Sequence, residues 1–193
     1  MAGEIFISYR RADEAWARLL HAVPRSRLVI VGVAQGSTQE ALLDVMRAAG
    51  IARERISAHD VVSYRRYNEL MSSADIALAP FPYNGATTML DCLWNGLPVV
   101  AKQGGETFYS RMGDSLLGAL GLSRLLARDD DDYVRIAASL ASDPAELESL
   151  RQTLRQEVER SPMRDFRGFT RELESAYRAL WKEWCASGAV GQE

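Results

Sequence analysis

Two threonines and an aspartate are the side chains of this chain best spaced to hold an anion and a diol. Thr87 and Thr88 follow an apolar run (residues 75–79), a Pro-rich corner (residues 80–83) and an Asn84-Gly85 turn. A helix predicted from Thr87 to about Asn95 aims its first free backbone N–H groups out of that corner, with both hydroxyls beside them. Such helix N-termini bind phosphates. Asp91 lies one turn further on, where its carboxylate could take the two hydroxyls of a ribose. A plainer reading weighs the same on spacing alone: Thr87 or Thr88 caps the helix, and Asp91 is a favourable acid near a helix start.

A glycine-rich loop supplies a second candidate. Gly104, Gly105, Glu106 and Thr107 follow a predicted strand and precede a predicted helix, whose first turns hold Ser110 and Arg111. The loop lacks GxGxxG and follows the fifth strand, which argues against a nicotinamide or flavin dinucleotide. Arg111 could reach a phosphate or brace the loop against Asp114. Tyr64 and Tyr67 lie on the helix before the fourth strand, where one could abut a base; aromatic residues at helical spacing are more often core. His21 and His59 have no triad partner in view. GxSxG, HExxH and the Walker pattern are absent.

The elements that position these residues alternate. Strands are predicted at residues 4–9, 27–33, 55–58, 75–79, 97–101 and 124–127, with a helix in each interval. Asp13 is the expected cap of the first helix, and Ser37 or Thr38 of the second. Regular alternation implies a parallel sheet with right-handed crossovers. The expected fold class is α/β: a three-layer sandwich with a mostly parallel, doubly wound, Rossmann-like sheet of order 3-2-1-4-5-6 and C-terminal helices. That order sets the loops after strands 1 and 4 on one crevice. Three helices follow, near 130–141, 143–159 and 164–185. The expected division is a core over 1–128, a helical extension of the same domain over 129–185, and a flexible tail over 186–193. Four consecutive acids, Asp129 to Asp132, read as the solvated N-terminus of a helix rather than a cation site.

Composition narrows the function classes. The 193 residues fit one domain, with 47% hydrophobic and 25% charged residues. A net charge of −3 gives no general attraction to nucleic acid or anionic membranes. Lys102 and Lys182 are the only lysines. Cys92 and Cys185 form neither a disulfide framework nor a metal spacing. No charged-then-apolar leader and no apolar run of membrane-spanning length is seen, so the cytoplasm is the expected compartment.

Three stretches carry a resemblance. Residues 81–100, including the Asn84-Gly85 turn, Thr87, Thr88 and Asp91, resemble the signature of the O-GlcNAc transferase family, with its bacterial members and plant Spindly-type relatives. Gly105-Glu106-Thr107 and the residues to Arg111 are similar to a second family segment, and residues 16–28 to its first helix and second strand. The similarity runs from about residue 15 to residue 184. It implies the C-terminal, nucleotide-binding domain of a two-domain GT-B glycosyltransferase that moves GlcNAc from UDP-GlcNAc to protein Ser/Thr. It further implies that Thr87 and Thr88 meet the UDP diphosphate, Asp91 the ribose, and Tyr67 the nucleotide. Ala86 stands where many members carry a His, and residues 101–105 are one residue longer than the usual connection.

The start departs further. The family's first loop carries a Lys that meets the diphosphate. Residues 4–13 instead resemble the opening strand and loop of bacterial TIR domains, as if two families had been joined near residues 12–15. Arg10 or Arg11 is the candidate replacement for that Lys. The leading expectation is therefore a UDP-sugar-binding domain, inactive alone, with no metal or other cofactor and with UDP-GlcNAc as ligand. Its partners would be a missing N-terminal domain and a protein acceptor. The alternatives are a TIR-like interaction or NAD-processing module, and an inactive designed or truncated scaffold.

Overall fold

The computed structural model describes the backbone of residues 4–8 and all of residues 14–187. Arg10, Arg11 and Asp13 lie outside the described residues. Strand β1 (Glu4–Ser8) is followed by α1 (Glu14–Ala22), β2 (Arg27–Val31), α2 (Ser37–Ala48), β3 (Ile56–His59), α3 (Tyr64–Ser73), β4 (Ile76–Leu78), α4 (Ala86–Trp94) and β5 (Val99–Lys102). Then come α5 (Met112–Ala119), β6 (Leu126–Ala127), α6 (Asp130–Ala141), α7 (Pro144–Arg160) and α8 (Phe166–Ala186).

Among the described residues the strands pair in the order β3-β2-β1-β4-β5-β6. Every pairing is parallel. β1 is central, with Ile5 in register with Leu28 on one side and with Ile76 on the other. The last pairing is short, Ala101 with Leu126 and Lys102 with Ala127. Strands covered on both faces read as unbroken apolar runs. Accordingly Leu28 to Val31 and all of β4 are buried.

Several ends differ from the sequence reading because turns tighten them. The stretches before β3 and β6 are 3-10 turns (Arg53–Arg55 and Ser123–Leu125), so both strands start later than expected. Arg55 belongs to the first turn and clamps the end of α1: its guanidinium donates to the carbonyls of Leu20 (2.8 Å), Val23 (3.0 Å) and Ser26 (2.9 Å). Gly36, not Ser37 or Thr38, occupies the N-cap of α2, and no side chain caps that end. Gly96 ends α4 with φ +76°, and an added Cβ would lie 2.7 Å from the Arg151 carbonyl oxygen. The N–H of Leu97 then donates to Cys92 O (2.8 Å), closing the helix in a Schellman-type end that turns the chain into β5.

The acid run is more than a solvated helix end. Asp129 caps α6 by accepting from the Asp132 N–H (2.8 Å). Asp130 pairs with Lys102 on β5 and Asp131 with Arg18 on α1. Asp132 is buried and pairs with Arg128 and Arg135. The backbone N–H of Arg128, then the Arg135 guanidinium, hold its carboxyl down to about 2. Through Tyr133, Ile136, Ala137 and Leu140, α6 belongs to the core, and α7 adds Leu150, Leu154 and Val158. No residue of α8 is buried.

Candidate functional site

The corner between β4 and α4 is built by hydrogen bonds from three other segments. Where β4 ends, the Ala79 N–H donates to Val100 O (2.9 Å), and Tyr133 on α6 donates its hydroxyl to Ala79 O (3.0 Å). The chain turns through Pro80 and a cis Phe81–Pro82 peptide. Asn84 is 2% exposed and joins two loops. Its amide donates to Pro80 O (2.9 Å), its side-chain oxygen accepts from the Gly113 N–H (3.2 Å), and its own N–H donates to Tyr109 O (3.2 Å). The sequence shows Asn84-Gly85 as a turn. The buried clamp was not legible there, because its partners lie on a distant loop.

Helix α4 begins one residue earlier than expected, at Ala86. Gly85 is its N-cap and offers no side-chain bond. The first helical bond is Met89 N–H to Gly85 O (2.8 Å). Neither threonine caps α4, so the plain capping reading does not hold. Ala86, Thr87 and Thr88 line a cavity of about 410 Å³ with Pro80, Tyr83, Asn84, Gly85, Phe108, Tyr109 and Met112. Among the described residues no charged side chain lines it.

Tyr67 reaches this corner from α3. It is half-buried, and its hydroxyl and the Thr88 hydroxyl share a hydrogen bond. Burial pushes its phenol well above the usual range, so it stays protonated. Tyr64 is 75% exposed, contrary to a core position. Both tyrosines line a second hollow of about 310 Å³ with Val31, Gly32, Val61 and Val62, at the carboxyl end of β2. Asp91 lies one turn beyond Thr88, half-buried, and among the described residues its carboxylate has no hydrogen bond or ion pair. Burial raises its pKa.

The glycine loop is organised differently from the expectation. Phe108–Arg111 form a 3-10 turn, so Ser110 and Arg111 precede α5. Asp114 accepts from the Gly104 N–H (2.8 Å), while Arg111 is exposed and makes no brace with it. Ser110 Oγ accepts from the Gly105 N–H (3.0 Å) and the Thr107 hydroxyl (3.1 Å), and donates to Thr107 O (2.7 Å). The Gly105 N–H is thereby engaged within the loop. Gly105, Glu106, Thr107 and Arg111 are not among the cavity's lining residues; their neighbours Phe108 and Tyr109 are. His21 Nε2 donates to Ala49 O (2.8 Å), and His59 bonds Ser57 Oγ (2.8 Å), both structural contacts. Among the described residues no three His, Cys, Asp or Glu side chains converge to hold a metal ion.

A parallel sheet with an uncapped, threonine-bearing helix N-terminus at its carboxyl edge fits the C-terminal half of a GT-B glycosyltransferase. The model of glycosyl transferase family 41 matches residues 10–173, and the chain belongs to that family. A probable UDP-N-acetylglucosamine–peptide N-acetylglucosaminyltransferase SPINDLY from Petunia hybrida is 37% identical over 175 residues, which cover 89% of this chain and 19% of the petunia protein. A solved O-GlcNAc transferase from Thermobaculum terrenum superposes with a TM-score of 0.88 at 32% identity, covering 97% of this chain and 37% of that one. The C-terminal CMP-Kdo binding domain of WaaA from Acinetobacter baumannii shares the fold at 13% identity, with a TM-score of 0.57, over 82% of this chain and 90% of that one. The chain thus spans about a fifth of the length of the plant relatives it matches.

Proposed function

We propose that this chain is the UDP-sugar-binding domain of an O-GlcNAc-transferase-like enzyme. One observation carries the reading: the uncapped start of α4 and its Thr87-Thr88 pair line a cavity, with the carboxylate of Asp91, which has no partner among the described residues, one turn away. The first-turn N–H groups and the threonine hydroxyls take the diphosphate, and Asp91 takes the ribose diol. The hollow walled by Tyr64 and Tyr67 takes the base. Ala86 leaves the phosphates without an imidazole, and Arg10 or Arg11 supplies positive charge from the loop after β1. Gly105, Glu106, Thr107 and Arg111 hold the rim of the site rather than the phosphate. No metal takes part, because helix N–H groups and arginine replace it.

The architecture is read as a doubly wound, three-layer sandwich in which α6 and α7 complete the domain. No helix among the described residues is long and apolar enough to cross a membrane. We propose the cytoplasm as its compartment, as the sequence leads one to expect. The plant relatives are about five times longer, and we assign the acceptor side to a portion of such enzymes outside the stretch matched here. Isolated, it should bind UDP and transfer little or no GlcNAc.

Calorimetry with UDP tests the reading. Wild-type chain should give a saturable heat that EDTA leaves unchanged. A Thr87→Val/Thr88→Val double variant should lose about tenfold or more in affinity, for two hydrogen bonds to a charged group. An R10A/R11A variant with unchanged UDP affinity would remove the arginines from the site. No heat at millimolar UDP would favour an inactive scaffold.

A further inference from the structure

We infer that Tyr83, Phe108 and Tyr109 form an aromatic platform for the pyranose ring of the nucleotide sugar. This rests on the UDP-sugar reading above. The three rings come from two loops that Asn84 ties together. Tyr83 and Tyr109 lie 5.4 Å apart between centroids, tilted by 30°. Phe108 meets Tyr109 edge-on at 5.9 Å and 74°. All three line the cavity that holds Thr87 and Thr88. A ligand whose phosphates sit on α4 therefore brings its next group against these rings.

The exposure of the rings asks for an explanation. Phe108 is 68% and Tyr83 43% exposed. Their backbone is rigid: the turn carrying Phe108 and Tyr109 is pinned by Ser110, which holds three hydrogen bonds, and by Asp114 at Gly104. Apolar rings held in place beside an anion site are preorganised for a ligand.

A pyranose is the matching chemistry. One of its faces is a patch of C–H groups, which packs on the electron-rich face of an aromatic ring. Its rim of hydroxyls suits the tyrosine hydroxyls, which are polar handles on apolar bodies. Among the described residues the wall beside these rings carries no charged side chain, which fits a neutral sugar as the group beyond the phosphates. The volume of about 410 Å³ lies within the range of small-molecule sites and leaves room for a hexose beside the phosphates. A nucleobase would also stack on such rings, but the separate hollow at Tyr64 and Tyr67 already serves it.

The test compares two ligands on one protein. The affinities of UDP and UDP-GlcNAc are measured for wild type, Tyr83→Phe and a Tyr83→Ala/Phe108→Ala double variant. Phe108→Ala alone is a control for folding, since its side chain is largely exposed. Wild type should bind UDP-GlcNAc about fivefold more tightly than UDP, the effect of one or two aromatic contacts. The double variant should lose that preference and keep its UDP affinity, while Tyr83→Phe keeps its UDP affinity and the part of the preference that comes from the ring face, losing only what the hydroxyl adds. Saturation-transfer NMR should show the pyranose ring protons in contact with wild type and released in the double variant. An unchanged preference with intact UDP binding overturns the inference alone, and assigns the rings to a protein partner. A parallel loss of both ligands overturns it too, as bracing of the phosphate site. No UDP binding by wild type removes the parent reading and the inference with it.

Discussion

Two regions present aromatic side chains to solvent, and they are held in opposite ways. At the β4–α4 corner, Tyr83, Phe108 and Tyr109 ride on backbone locked by Asn84, Tyr133, Ser110 and Asp114. On α8, Phe166, Phe169, Tyr177, Leu180, Trp181 and Trp184 stand on one helix with no buried residue. Buried polar networks rigidify a site when every member is satisfied. The corner has such a network, so its surface is held in one shape. The face of α8 is shaped only by its own helix, including a Trp181–Trp184 stack at 5.1 Å, which suits a broad apolar partner surface. The relatives extend well beyond the stretch matched here, so a portion of such a longer family member is the cover to test.

Breaking the corner should have the largest effect. Asn84→Ala removes both side-chain bonds, stranding the buried Gly113 N–H and leaving the part-buried Pro80 carbonyl without its donor. Two such groups cost about 2–4 kcal/mol together. A denaturant melt should show that loss, and UDP binding should fall with it as the two loops separate. If Asn84→Ala melts like wild type, the network is not what makes the corner differ from α8.

Asp91 sharpens the contrast, because it separates binding from stability at one residue. Its carboxylate is half-buried, with no hydrogen bond or ion pair among the described residues, and burial raises its pKa. The folded chain therefore holds this proton more tightly than the unfolded chain, and stability is lost as the pH rises through the folded pKa. Asp91→Asn has no charge to bury. It should melt at a higher temperature than wild type at neutral pH, with the gap closing as the pH falls below about 4, the ordinary carboxylate range. Its UDP affinity should drop about tenfold, for a charge-assisted hydrogen bond to the ribose. A variant that loses stability at neutral pH would mean that Asp91 is structural.

Local pattern carried most of the fold. Buried runs such as Leu28 to Val31 and the stops at Gly50 and Gly96 mark elements whose causes lie within a few residues. The threonine pair and Asp91 were visible for the same reason, since their geometry follows from one helix start. What stayed hidden depends on distant partners. Asn84 meets Gly113, Tyr133 meets Ala79, and Ser110 gathers the loop that Arg111 was expected to brace. Asp130 and Asp131 look like a solvated acid run until Lys102 and Arg18 arrive from other elements. Tyr64 was misplaced because helical spacing marks a face, not what covers it.

The smallest effect is expected on α8, and its smallness is informative. Trp181→Ser/Trp184→Ser removes two large rings from an uncovered face, so the isolated chain should change by no more than about 0.5 kcal/mol, as surface substitutions do. Its UDP affinity should stay as it was. The two cysteines give a second measure on the unmodified chain. Cys185 is exposed on α8, whereas Cys92 is buried on α4 with its thiol pushed up to about 12, chiefly by burial. The thiolate is the reactive form. A thiol reagent at neutral pH should therefore modify Cys185 in the native chain and reach Cys92 only in denaturant. If α8 is the face that a longer family member covers, adding that portion should slow the labelling of Cys185. It should also make the tryptophan pair costly to lose, by the 2 kcal/mol or more typical of buried aromatic anchors. Equal labelling with and without it would leave α8 a solvent-facing helix, and the difference from the corner would then be one of rigidity alone.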